Sequence, residues 1–336
     1  MKTLLYIGNY LQSKRNNVSS IHVLGPLFES EGYRVIFRSS KVNKGLRLGA
    51  MLWACVRYRK QVDLVLIDTY STLNFYFALL SSQLCRLLGL PYICCLNGGN
   101  LPHRLKQNPY LSNLIFKHAK CSVAPSLYLK NAFEFHGYTN VEFIPNTVDL
   151  QHYPFEDRTF DVPKLLWVRS FSKIYNPQLA VRVLKSLQDQ GYKANLCMVG
   201  PDSDGSLEAV QALASHLGVA VSITGKLTKA EWISLSKDYN VFINTTNYDN
   251  TPVSVIEAMA LGLPVVSTHV GGMPFLIEHG VHGLLVPPED VEAMCTAIVS
   301  LFKDSKQREH LIAAARQRVE QYDWQQVRLL WHEVIA

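Results

Sequence analysis

The feature that most constrains the fold of this chain is the alternation, along its whole length, of short apolar runs with stretches of helical periodicity. Apolar runs of this length, bounded by helical segments, form parallel sheets covered by helices on both faces. In the first half the predicted strands are TLLYIG (3–8), YRVIFRS (33–39), DLVLID (63–68), PYICCLN (91–97), CSVAPS (121–126) and VEFIPN (141–146). A second series follows at KLLWVRS (164–170), KANLCMV (193–199), AVSITG (220–225), DYNVFINT (238–245), PVVST (264–268) and GLLVP (283–287). Between them, LQHYPFEDRTFDVP (150–163) keeps neither period and carries two prolines, which reads as an interdomain linker. At 336 residues the chain is long for one core. The expectation is α/β, with two doubly wound domains of similar size. Such sheets bind ligands at the carboxyl ends of their strands, so the site is expected in a cleft between the domains. Asn176-Pro177 is read as an N-cap and first-turn proline, and Thr228-x-x-Glu231 as a capping box.

Charge is divided unevenly. Residues 1–150 hold 17 Lys/Arg and 7 Asp/Glu, against 16 and 20 in residues 151–336, so the halves carry +10 and −4. The basic half points to an anionic surface or ligand, with nucleic acid and the cytoplasmic leaflet as candidates. Seven cysteines (55, 85, 94, 95, 121, 197, 295) without CxxC spacing read as buried thiols of a reducing compartment, with no zinc site and no disulfides. The start MKTLLYIGNYLQSKRNN does not fit a signal peptide, and no segment offers about 18 uninterrupted apolar residues, so a cytoplasmic protein is expected.

The chemistry concentrates in residues 249–286, DNTPVSVIEAMALGLPVVSTHVGGMPFLIEHGVHGLLV. Pro252 falls where a helix begins after a strand, needing no N–H there. Free N–H groups near Asn250, Thr251 and Val253, with the helix dipole, suit sugar hydroxyls or phosphate oxygens. Glu257 lies about a turn further in, where a carboxylate can accept two ribose hydroxyl hydrogens. Asp249 reaches a hexose hydroxyl instead, or serves as an N-cap. Gly271-Gly272-Met273-Pro274 permits close backbone approach.

This pattern resembles the nucleotide-sugar signature of glycosyltransferase family 4, a retaining family of GT-B fold among the glycosyl transferases group 1. In that signature Glu-x7-Glu precedes Ala-Met-Ala-x-Gly-x-Pro-Val-Val, and Asp249 stands for the first Glu. APSLYL and IPNTVDLQHY extend the likeness into the first half. The resemblance implies two facing Rossmann-like domains: residues 1–155 for the acceptor, residues 164–318 for the nucleotide sugar, and a last helix in 319–336 crossing back to the first. Glu257 then holds the ribose and Asp249 lies beside the transferred sugar, one methylene short of the family residue. Arg169, and Lys173 four residues on, stand near the family's diphosphate-neutralising Arg and Lys. Counted back from Asn176-Pro177, the lysine position falls on Tyr175 instead. Gly200 in the loop Gly200-Pro201-Asp202, Thr224, Gly225 and Lys226 in the next, and Gly272 complete the donor side.

On the acceptor side, a polar loop with Asn16 and Asn17 stands where many members carry Gly-Gly. Asn97, followed by Gly98, Gly99 and Asn100, stands where many carry a histidine. Asn97 can donate a hydrogen bond but cannot titrate, which excludes acid–base work at that position. His103 and Arg104 are further acceptor or phosphate candidates, or plain loop residues. The implied reaction is front-side transfer of a hexose from a nucleotide-diphosphate sugar, with the leaving phosphate taking the acceptor's proton. No Asp-x-Asp ends a strand, and Asp202-Ser203-Asp204 reads as a turn, so metal independence is expected and no cofactor beyond the nucleotide sugar. The segment 41–60 mixes six Lys/Arg with Leu46, Leu48, Met51, Leu52, Trp53 and Val56. It reads as a membrane-surface helix or a domain helix with a basic face. Together these suggest a glycan or lipid-linked acceptor reached by peripheral contact with an anionic membrane, and no nucleic acid. Three alternatives are a catalytically silent nucleotide-sugar-binding protein, a GT-B epimerase, and a dinucleotide dehydrogenase, the last lacking GxGxxG after the first strand.

Overall fold

The computed structural model describes residues 1–11, 19–97 and 99–336. Asn16, Asn17 and Gly98 lie outside the described residues. The chain divides into two compact units, Met1–Pro145 with Leu330–Ala336, and Asn146–Leu329.

Along the first unit run β1 (Thr3–Ile7), α1 (Ser20–Ser30), β2 (Arg34–Arg38), α2 (Lys44–Tyr58), β3 (Leu64–Thr69), α3 (Asn74–Leu87), β4 (Tyr92–Leu96), α4 (Leu101–Gln107), α5 (Pro109–Phe116), β5 (Cys121–Ala124), α6 (Leu127–Phe135) and β6 (Val141–Phe143). All pairings are parallel, in the order β2-β1-β3-β4-β5-β6. Every residue of β1, β3, β4 and β5 is buried. Helices cover both faces, which is why these strands read as continuous apolar runs rather than alternating ones.

The second unit follows with β7 (Lys164–Val168), α7 (Pro177–Asp189), β8 (Asn195–Val199), α8 (Ser206–Leu217), β9 (Ser222–Gly225), α9 (Lys229–Leu235), β10 (Val241–Asn244), α10 (Val253–Ala260), β11 (Val265–Thr268), α11 (Met273–Leu276), β12 (Leu284–Val286), α12 (Val291–Lys303) and α13 (Ser305–Glu320), and the last helix, α14 (Trp324–Ile335), begins in this unit and ends in the first. Its parallel sheet has the order β12-β11-β10-β7-β8-β9. All twelve predicted runs are strands, most of them trimmed at one or both ends.

Each sheet reverses direction once, between β1 and β3 in the first unit and between β7 and β10 in the second. These switch points are where doubly wound sheets open a crevice at their carboxyl edge. In the second unit Trp167, fully buried on β7, donates from Nε1 to Thr245 Oγ1 at 2.9 Å. Thr245 in turn donates to the Tyr175 carbonyl at 2.9 Å. The turn after β7 is thereby tied to the end of β10.

Two local expectations need adjustment. Pro252 occupies the N-cap position of α10 rather than its first turn. Asn176 precedes α7 in the left-handed region (φ 45°) and makes no side-chain cap bond; its Nδ2 donates to Asn247 Oδ1 at 3.3 Å instead. The Thr228–Glu231 capping box is formed as read.

The stretch predicted as a linker is fastened to the second unit. Arg158 Nε donates to the Tyr239 carbonyl at 3.0 Å, and Asn240 Nδ2 donates to the carbonyls of Thr159 and Val162 at 2.9 Å each. The seven cysteines are buried, with Cys55 and Cys85 Sγ 3.9 Å apart.

Candidate active site

At the switch point of the second unit, Arg169 follows β7 and Asp249 follows β10. Their side chains form an ion pair, Arg169 Nη2 to Asp249 Oδ2, with both largely shielded from solvent. The guanidinium lies over the Tyr175 ring, 4.2 Å from its centroid. Counting back from Asn176-Pro177 had put the second cation of the family pattern at Tyr175. The structure has an aromatic platform for the first cation there. Lys173 opens a short 3₁₀ turn with its side chain exposed, and its backbone N–H donates to Asp204 Oδ2 at 2.9 Å. Asp204 also takes the hydroxyls of Ser206 and Ser172; these bonds, that of Ser206 first, hold it down to about 2. Asp202 Oδ1 accepts from Gly205 N at 3.0 Å. The Asp-x-Asp triplet is thus a turn and cap device.

Asp249 caps no helix. Its Oδ1 accepts from Asn250 N at 2.9 Å, and its carbonyl accepts from Gly272 N at 3.0 Å. This is where the Gly-Gly turn matters. A Cβ on Gly271 would overlap the Asp249 carbonyl and one on Gly272 the Asn250 carbonyl, so the two backbone segments meet only because both positions are glycine. Asn250 and Thr251 are buried beside this contact, and Asn146 Nδ2 donates to the Thr251 carbonyl at 3.2 Å. Pro252 and Val253 then lead into α10, where the buried Ser254 Oγ has no hydrogen-bond partner.

Glu257 lies one turn inside α10 and is 3% exposed. The apolar neighbours of that turn, Val255, Ile256, Ala258 and Met259, belong to the unit's core, so the carboxylate must find its partners in place of water. Tyr153 supplies one, its hydroxyl donating to Glu257 Oε1 at 2.8 Å; burial pushes that phenol up to about 12, keeping it a donor. Lys229 supplies the other, its stem exposed and its ammonium against the same oxygen. Neither partner was singled out in the sequence. Tyr153 ends IPNTVDLQHY, and Lys229 sits three residues beyond the predicted Lys226, which is exposed on its loop. Thr224 and Gly225 end β9, and Gly200 N donates to the Gly225 carbonyl at 2.9 Å, joining the two predicted phosphate loops.

In the first unit, Asn97 Oδ1 accepts from Ser20 Oγ at 2.6 Å, and its Nδ2 donates to Asp68 Oδ1 at 2.8 Å. Gly99 lies in the turn before α4. His103 and Arg104 are on α4 rather than in a loop. His103 is exposed, while Arg104 Nε donates to the Ser71 carbonyl at 3.1 Å and its guanidinium stacks 5.0 Å from the Phe75 ring. No group of three or more metal-ligating side chains occurs among the described residues. None of their helices is long and apolar enough to cross a membrane.

Residues 156–318 match the family described as glycosyl transferases group 1. A sulfoquinovosyl transferase, SQD2, from Arabidopsis thaliana is 33% identical over 149 residues, which is 43% of this chain and 28% of that protein. Among solved structures, sucrose-phosphate synthase from Thermosynechococcus elongatus superposes with a TM-score of 0.80 at 17% identity, covering 99% of this chain and 98% of that one. Anabaena HepE in complex with UDP-glucose gives a TM-score of 0.79 at 16% identity, covering 100% and 99%. The fold is therefore that of GT-B glycosyltransferases.

Proposed function

From the match of residues 156–318 to the glycosyl transferases group 1, we propose that this chain is a retaining, metal-independent transferase that moves a hexose from a nucleotide-diphosphate sugar to a glycan or lipid-linked acceptor. The observation that carries the reading is Glu257: a buried carboxylate one turn inside a helix, beside a backbone turn that two glycines bring close. In this reading Glu257 accepts the two ribose hydroxyls, while Tyr153 and Lys229 hold it oriented. The diphosphate meets the amino end of α10, where the helix dipole favours negative charge and Ser254 Oγ is available to donate. Arg169, stacked on Tyr175, offsets the negative charge that develops on the leaving diphosphate. Asp249 orients Arg169 and presents its carboxylate to the hexose. The acceptor hydroxyl attacks from the side the diphosphate leaves, and its proton passes to the departing phosphate.

The acceptor is proposed to be reached at an anionic membrane surface through α2. Of its apolar residues, Met51 packs inward, whereas Leu46 and Trp53 are 66% and 65% exposed among Lys44, Arg57, Arg59 and Lys60. Vesicle flotation with anionic and neutral lipids measures this, and equal binding to both would remove it.

The donor reading is tested by thermal shift and turnover with UDP, GDP, ADP and their sugars. One nucleotide raising the melting temperature, with slow release of nucleoside diphosphate lost in Glu257→Ala, supports the enzyme. Binding without any turnover supports a silent binding protein, and no binding at all defeats the donor assignment.

A further inference from the structure

Two donors meet on one oxygen of Glu257, and they are held very differently. Tyr153 is 5% exposed and packs in the apolar cluster that also holds Val255, Ile256 and Met259; its carbonyl accepts from Arg316 Nη1 at 3.1 Å. Its hydroxyl is therefore fixed, 2.8 Å from Glu257 Oε1. Lys229 reaches the same oxygen with a side chain that is 57% exposed, while the carboxylate it meets is 4% exposed.

The backbone under Lys229 is fixed, and the side chain is not. The Thr228–Glu231 capping box sets the start of α9, and the buried Trp232 anchors that helix in the same apolar cluster. The long lysine stem, lying in solvent, keeps its rotamer freedom. As the first residue of α9, Lys229 also stands at the positive end of the helix dipole, where a carboxylate is the favoured charge. Departures of this kind from local preference mark functional places. Nor does the ion pair repay the loss of water: burial lowers the ammonium to about 8 despite the carboxylate beside it.

A carboxylate with so little exposed surface has no open side for a ribose diol while the ammonium is on it. We infer that Lys229 is a displaceable cover of the ribose place, swinging out into solvent when a nucleotide enters and giving up its bond to a ribose hydroxyl while Tyr153 keeps the carboxylate oriented. Its return satisfies Glu257 again when the nucleotide leaves. The inference rests on the reading of Glu257 as the ribose anchor, and the role it gives Lys229 is opposite to that of a lysine that holds a diphosphate.

The sign of one substitution separates these roles. Lys229→Met keeps the stem and removes the charge. With UDP, GDP and ADP as probes on the full chain, the nucleotide that binds should bind about threefold to tenfold more tightly to the variant in calorimetric titration, because the fraction of chains open to it rises. A lysine that held the diphosphate, or merely braced α9, would give weaker or unchanged binding, and either result overturns the inference. Acetic anhydride labelling read by mass spectrometry follows the side chain in the unmodified protein, and it decides if the variant fails to fold. Lys229 should be acetylated more slowly than the exposed Lys306, and severalfold faster once that nucleotide is saturating. A rate that the nucleotide lowers or leaves alone would mean that the ammonium stays in place, and overturns the inference too. Binding weakened in Glu257→Gln yet indifferent to Lys229→Met counts against the cover alone. Binding untouched by Glu257→Gln, or absent with all three nucleotides, removes the ribose assignment and the cover with it.

Discussion

A carboxylate held away from water by apolar neighbours is informative because each of its hydrogen bonds is forced. Glu257 is such a residue, and replacing it with Gln keeps its size while removing the charge that two ribose hydroxyls would meet. Glu257→Gln should weaken UDP binding about tenfold to a hundredfold in calorimetric titration, and an unchanged dissociation constant would remove Glu257 from the donor site. Asp68 offers a second residue-scale prediction. Burial raises its pKa to about 7 even though Tyr6 and Asn97 donate to it, and Tyr6, Tyr70 and Cys95 are the titratable groups around it. The folded state therefore keeps a proton that the unfolded chain releases near pH 4, and the resulting stability is complete below that pH and lost as pH rises through about 7. Asp68→Asn has no such proton. Between pH 5 and 8 the unmodified chain should lose stability relative to the variant, by up to a few kcal/mol in denaturant titrations; parallel pH curves would mean the carboxylate is solvated. Both residues differ in how legible they were. Glu257 stood out because its spacing from Asp249 and the following Ala-Met-Ala are local. Tyr153, 104 residues away from it, and Asp68, inside a run read only as a strand, owe their surroundings to tertiary contacts that leave no short-range pattern.

Elements carry the site by where they end. α10 starts beside Asp249 because Pro252 supplies an extended residue before it, and the loop stays there because the Gly271-Gly272 turn is pressed against its carbonyls. Gly272→Ala has no room for its methyl unless the Asn250 segment moves. The expected result is a lower melting temperature together with weaker UDP binding, whereas loss of stability with full affinity would separate the turn from the site. The central strands were legible because burial on both faces of a sheet makes a parallel strand a plain apolar run, whereas β2, β6 and β9 at the sheet edges are only partly buried. The helix at 41–60 was legible too, but its facing was not: Met51 turns inward, Arg47 is buried with its guanidinium on Asn9 and two carbonyls, and Leu46 and Trp53 face solvent. Only packing decides which part of an apolar band is core. If the exposed part is a membrane contact, Leu46→Ser with Trp53→Ser should reduce flotation with anionic vesicles several-fold at unchanged UDP affinity.

At the scale of the whole molecule, the chain forms two units of one architecture, and its last residues belong to the unit built from its first. Trp331 is 3% exposed and meets the Phe28 ring edge-on at 5.2 Å; His332 bonds the Tyr33 hydroxyl at 2.8 Å, and Lys2 donates to the Ile335 carbonyl at 2.9 Å. These contacts fall on β2's approach, on α1 and on the first residues of the chain, none of which takes part in donor binding as proposed. Trp331→Ala opens a cavity against Phe28, for which large-to-small changes of this kind cost about 3–5 kcal/mol. Hydrogen exchange should then quicken in β1, β2 and α1, while amides of β7 and β10 keep their protection and the chain still binds UDP with unaltered affinity. A uniform increase across both units would instead mean that they unfold as one cooperative body, and a loss of UDP binding would place the C-terminal helix within the donor machinery.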